Sequence, residues 1–220
     1  MTLSRRGFML ITSPVLCGAC ASADLTPTIQ FSVGVMLRNG NDGAWTAPSP
    51  ASSQITLLLP LIAGDFFGNT TEPSVATSLM APSGTLALDL TRLLQATSRI
   101  AVRPTNPAAL SAELAIEPAS IRLARVGSSA IDSSTKRPLG RTGFYGIGDG
   151  LPLILVYFSG PCRMRGTTIS EPDKVVLELA IPSEGLHWLQ LTQLSPGRRL
   201  LSLYRGPPQI NLGITRADNA

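Results

Sequence analysis

The sequence predicts an all-β fold, an antiparallel β-sandwich of immunoglobulin-like or related type with at most one short helix. Three observations carry this. Apolar and polar side chains alternate in several segments, most clearly at Ile29, Phe31, Val33, Val35 and Leu37, which is the period of a strand with one buried face. Past residue 112, apolar segments recur about every ten residues with Gly, Pro or Ser between them, the rhythm of a sandwich or barrel. Of the 220 residues, 44% are hydrophobic and only 15% are charged, enough apolar side chain for a real core and too little charge for a disordered chain.

Each element follows from local pattern. The alternation over 29–37 ends at Asn39-Gly40-Asn41-Asp42-Gly43, residues that tolerate positive φ and so make a turn. A Pro- and Ser-rich loop over 47–53 leads to a strand near 55–61. Residues 63–82 are broken by Gly64, Gly68, Pro73 and Pro82. A strand over 86–90 precedes a short helix over 91–97, where Leu93 and Leu94 have helical rather than alternating spacing. Arg103-Pro104-Thr105-Asn106-Pro107 reads as a linker, with a sub-boundary near 103–111. Strands follow over 112–117, 121–126, 153–158, 162–169, 174–181, 187–194 and 199–205. The segment 153–158 is apolar on both faces and therefore central. Residues 181–186 read as a turn between neighbouring strands, Ser195-Pro196-Gly197 as another, and 215–220 as a flexible tail. The β domain thus runs over 24–214.

Residues 1–23 read as an export signal. Arg5 and Arg6 precede a nine-residue apolar run, 8–16, too short for a membrane helix of about twenty residues. Ser4-Arg5-Arg6-Gly7-Phe8 resembles the twin-arginine export signal, with Met9 and Leu10 departing from its last two positions. Ordinary secretion is the other route. Two exits compete. Ala21-Ser22-Ala23 before Asp24 has the small-x-small pattern of a signal peptidase site. Cys17-Gly18-Ala19-Cys20 resembles a bacterial lipobox, although Cys17 stands where Leu is usual. The short apolar run favours lipidation of Cys20. Ala21 rather than an aspartate then implies, by resemblance to bacterial lipoproteins, the periplasmic side of the outer membrane. Cleavage after Ala23 would leave a soluble periplasmic or secreted protein.

Formal charge is +4, but Arg5 and Arg6 belong to the signal and without them the excess is only +2. Charge is uneven along the chain. Residues 39–90 contain Asp42, Asp65, Glu72 and Asp89 and no Lys or Arg, whereas 92–141 holds eight basic residues against Glu113, Glu117 and Asp132. Such asymmetry suits an anionic partner or simply solvated strand faces. Nucleic acid is not expected, because the arginines lack interleaved aromatics. With Cys17 and Cys20 in the head, Cys162 is the cysteine of the mature domain, which excludes a disulfide framework.

No complete catalytic set emerges. His187 is the single histidine, with Asp173 or Glu184 as conceivable orienters, but no G-x-S-x-G elbow exposes a serine. One histidine and one cysteine do not make a zinc site of the usual kind, and no metal or other cofactor is expected. The glycines of Gly143-Phe144-Tyr145-Gly146-Ile147-Gly148-Asp149-Gly150 miss the spacing of a phosphate loop and read as a flexible hairpin or loop. Glu171 and Asp173 flank Pro172 in a turn, where solvated acids are ordinary. Trp45 and Trp188 read as packing residues rather than sugar platforms. The candidate ligand or partner surface is Arg141, Phe144, Tyr145, Asp149, His187 and Trp188. These observations point to a non-catalytic envelope protein, a binding or structural module that meets another envelope protein or a surface polymer and is held on the membrane by lipid. The alternatives are a periplasmic hydrolase using carboxylates and arginines, or a small-ligand carrier; a deep pocket joining Arg141, Tyr145, Asp149 and His187 would favour these.

Acyl chains contribute about 0.8 kcal/mol per buried methylene, enough together to hold a protein on a bilayer without a span. Intact mass spectrometry of native material is therefore expected to show a chain beginning at Cys20 with added acyl mass, and Cys20→Ser to release it from membranes. An unmodified chain beginning at Asp24 would identify the other exit.

Overall fold

The computed structural model describes residues 30–40, 43–48, 55–64, 66, 77–104, 114–147, 150–170, 173–206 and 209–216. The export signal with Cys20 and the linker positions 105–111 lie outside the described residues. The strands are β1 (Gln30–Asn39), β2 (Ile55–Leu58), β3 (Leu61–Ala63), β4 (Thr77–Leu79), β5 (Thr85–Asp89), β6 (Ala115–Glu117), β7 (Leu123–Val126), β8 (Ser129–Asp132), β9 (Arg141–Gly146), β10 (Pro152–Phe158), β11 (Cys162–Ser170), β12 (Asp173–Ile181), β13 (Gly185–Ser195), β14 (Arg198–Leu203) and β15 (Ile210–Arg216). Among the described residues one helix, α1, spans Leu90–Ile100. The protein is mostly β, with a large sheet in the order β5-β1-β15-β9-β10-β13-β14-β12-β11-β6, to which β7 and β3 are joined at β10, and a small sheet β4-β2-β8.

The large sheet is mixed rather than wholly antiparallel, because β1 pairs in parallel with β15 and β12 in parallel with β14. The cause is strand insertion. Residues 181–186 do not join neighbours: β14 turns back from β13 at Pro196-Gly197 and takes the place beside β12. The tight turn after Ser195 is where the sequence puts it, and Gly197 supplies its positive φ of 72°.

β10 has its two faces in two different cores. Leu153 and Leu155 join Val33 and Val35 of β1, Leu212 of β15 and Phe144 of β9, and the small sheet covers this core with Ile55 and Leu57 of β2. Val156 and Phe158 point the other way, to Met164, Leu177, Leu189 and Leu201 of β11, β12, β13 and β14. The segment's continuous apolar run is therefore the correct signature of a strand buried on both sides.

Several elements differ from expectation, among them the unforeseen short strands β4 and β8 that flank β2. The strand foreseen over 55–61 is two strands, because Pro60 has no N–H for a ladder. Upstream, β2 pairs with β4 and β8; downstream, β3 pairs with β7 in the large sheet. The Gly-rich loop foreseen from Gly143 is largely strand β9, which pairs with β15 from Arg141 to Gly146 and buries Phe144. Thr215 and Arg216, assigned to a tail, belong to β15, whose Ile210, Leu212 and Ile214 are all buried. The helix is where Leu93 places it: Asp89 caps it by accepting from Arg92 N at 2.8 Å, and Thr97 Oγ1 donates to Leu93 O at 2.7 Å on its buried side.

Because Leu155 is 1% exposed in the strand both cores share, Leu155→Ala is expected to cost about 2–5 kcal/mol in denaturant unfolding, with a single transition reporting both cores together.

Candidate functional site

Strand alternation divides the six residues of the candidate surface. Phe144 is 3% exposed and meets the half-buried Trp188 edge-to-face at 5.0 Å inside the first core. Arg141 and Tyr145 lie on the opposite, outer face of β9. His187 sits at the start of β13 opposite Val156, its ring 6.0 Å from Phe158 and its Nε2 2.9 Å from Ser183 O. Asp149 lies outside the described residues, as does Glu171. The six therefore do not form one surface, because neighbours in a strand point to opposite sides.

Among the described residues, no acid is hydrogen-bonded to His187, whose Nε2 faces Ser183 O. Glu184 instead accepts a hydrogen bond from the buried Tyr157 hydroxyl at 2.7 Å. Burial first, and then that bond to a carboxylate, push the phenol up to about 12. Cys162, 5% exposed at the start of β11, is pushed up to about 11 by burial alone, which suppresses the thiolate despite the arginines that follow it in sequence. Among the described residues, no three His, Cys, Asp or Glu side chains come together as a metal set.

What the structure does assemble is a groove on the outer face of β1, β15 and β9. Outward positions align across the three strands in rows: Gly34, Asn211 and Tyr145; Met36, Gly213 and Gly143; Arg38, Thr215 and Arg141. Trp45 is brought over this face by the segment after β1, which is tied back by paired bonds between Leu37 and Thr46, each N–H donating to the other's carbonyl at 2.7 Å. The Trp45 and Tyr145 rings lie 5.4 Å apart at 54°. A glycine beneath them is a steric requirement: a Cβ on Gly213 would stand 2.6 Å from both Trp45 Cη2 and Tyr145 Cε2. Arg38 is set in place twice, its guanidinium carbon 4.5 Å from the Trp45 ring centroid and its Nε donating to Thr215 Oγ1 at 2.9 Å.

The resulting depression has a volume of about 250 Å³ and is walled by Met36, Trp45, Tyr145, Ile147 and Asn211. Apolar walls with a few polar groups are the usual make-up of a ligand site. On the sequence Tyr145 and Arg141 were candidates, whereas Trp45 was assigned to packing and Met36, Arg38, Asn211 and Gly213 carried no signal of their own. The alternation of Asn211, Gly213 and Thr215 with Ile210, Leu212 and Ile214 is the pattern that could have placed them.

A second cleft, of about 310 Å³, opens where β9 and β7 share one edge of β10. Its hydroxyls already satisfy one another, Ser128 Oγ donating to Thr142 Oγ1 at 3.0 Å. No described helix is long and apolar enough to cross a membrane. No family model, curated protein or solved structure matches the chain.

Two outcomes follow from the buried groups. The folded state favours the neutral Tyr157 phenol, so its contribution to stability is full below the ordinary value of 10 and is lost as pH rises to about 12. Denaturant melts across that window should show the loss, and Tyr157→Phe should diminish it. Native Cys162 should resist a thiol reagent at neutral pH and react on unfolding, and neither reductant nor chelator should move the melting curve.

Proposed function

We propose that this is an exported cell-envelope protein, lipidated at Cys20 and held on the periplasmic side of the outer membrane, that acts as a non-catalytic binding module for a surface polymer. The architecture that accompanies this reading is a β-sandwich of immunoglobulin-like or related kind, with β4-β2-β8 facing β5-β1-β15-β9 across the first core. One observation carries the binding role: Trp45 and Tyr145 present two rings beside Asn211 in a groove open to one side. Rings of this kind offer flat apolar area at low entropic cost, while an amide fixes orientation by hydrogen bonding. A saccharide chain, with apolar ring faces and hydroxyl edges, matches both.

A polymer rather than an enclosed small molecule is supported by the groove's form, since it lies along a sheet face. Tyr145 lines this groove while Arg141 and His187 do not, so the support for the binding reading is the pair of rings rather than a pocket joining those three residues. Titration of the purified domain with envelope polysaccharide should give saturable binding. Tyr145→Ala and Trp45→Ala are each expected to weaken it at least about tenfold, as loss of a central aromatic anchor does, with melting temperatures near wild type. Binding unaffected by both substitutions would refute the assignment.

A further inference from the structure

We infer that the exposed side of α1, with the arginines that continue from it, is a docking surface for an anionic phospholipid bilayer, so that the folded domain lies against the membrane instead of hanging free on its acyl anchor. The inference rests on the membrane-anchored reading above and adds how the domain itself meets the lipid. Arg92 and Arg99 are exposed and seven residues apart in α1, which sets them about 10 Å apart along one side of the helix, with the exposed Leu94 on the other flank. Beyond the helix, Val102 bridges Leu123, and Arg103 and Arg122 continue that register. They point to the side of Ala101 and Ala124, which pack with Tyr157 and with Ile100 of α1. The charge of Arg122 is felt at Tyr157 from there.

Four exposed arginines thus gather on one side of the domain. The two carboxylates at its margins are already held, Asp89 by the Arg92 backbone N–H and Glu184 by the Tyr157 hydroxyl. Among the described residues none of the four guanidinium groups is ion-paired. The helix contains no acid, and a cation in its first turn is the opposite of what the helix dipole favours, so the stability of α1 does not account for Arg92. Each arginine close to an anionic bilayer strengthens adsorption about fivefold. The tether selects this side of the molecule. Gln30, where β1 begins, pairs with Asp89, the cap of α1, and the ten residues from Cys20 to Gln30 reach at most about 35 Å. The groove stays open in this pose, because Leu93 of α1 packs into the first core on the inner face of β1, whereas Trp45 and Tyr145 lie on the outer face.

The Cys20→Ser protein, which carries no acyl chain, separates the surface from the anchor. At low salt it should partition into vesicles of phosphatidylglycerol and phosphatidylcholine about tenfold or more above its partition into phosphatidylcholine alone, and added salt should abolish the difference. Arg92→Gln and Arg99→Gln should each weaken that partition about fivefold and leave the melting temperature unchanged. Arg198→Gln removes the same charge at the turn after β13, at the far end of that strand from Leu186, and should leave the partition unchanged. Equal partition into the two kinds of vesicle, or equal losses in Arg92→Gln and Arg198→Gln, overturns the docking surface. The anchor is judged apart from it by the mass of the native chain. Arginine-dependent adsorption together with an unacylated native chain upholds the surface and removes the anchor, whereas an acylated native chain whose Cys20→Ser form ignores anionic lipid keeps the anchor and refutes the surface.

Discussion

The two-residue period of a single strand, β10, governs how this chain is organised. Leu153 and Leu155 enter one core and Val156 and Phe158 the other, so the strand is a shared wall. Its edge is divided as well: Pro152 and Leu153 pair with β9, and Leu155 to Phe158 pair with β7. The sheet forks there. One branch leads through β9 to β15, β1 and β5, the other to β7 and β3, and the opposite edge carries β13. A substitution in β10 is therefore felt in both cores, since close-packed interiors transmit a change of even one methylene.

Much of the strand content was legible because alternation is a local property. β1, β10, β12, β13 and the short helix were all visible in runs of five to ten residues. The mixed pairing was not, because which strand lies beside which depends on contacts between remote segments. Nothing near Val176 in sequence announces that Leu200 will be its parallel neighbour. Strand β9 was hidden for a different reason. Its glycines suggest a loop, yet Gly143 and Gly146 sit in a ladder, and at the outward Gly143 the missing side chain leaves room for the Tyr145 ring.

The groove was legible only in fragments. Tyr145 and Arg141 stand close in sequence, but Trp45 reaches them from a connection after β1, and Asn211 and Gly213 from the last strand. Its defining feature is the space at Gly213, which has meaning only once two rings from elsewhere are laid over it. The converse error has the same origin. Phe144 looks like a surface aromatic in a Gly-rich setting, and the fold turns it inward against Trp188, whose packing role the sequence does suggest. Aromatic content located the neighbourhood; parity along the strand decided which rings face solvent.

The parallel pairing of β1 with β15 bears on the order in which the molecule can be assembled. β15 lies between β1 and β9 and pairs with both, so the first strand cannot meet its inner neighbour until residue 216 has been synthesised. A ribosome releasing this chain from its N-terminus holds Val33, Val35 and Leu37 without the side chains of Ile210, Leu212 and Ile214 that complete their packing. Closure of that core must wait for β15, far along the chain from β1, and long-range closure is slow. The outer face waits for the same strand, because Gly213 and Thr215 of its rows belong to β15.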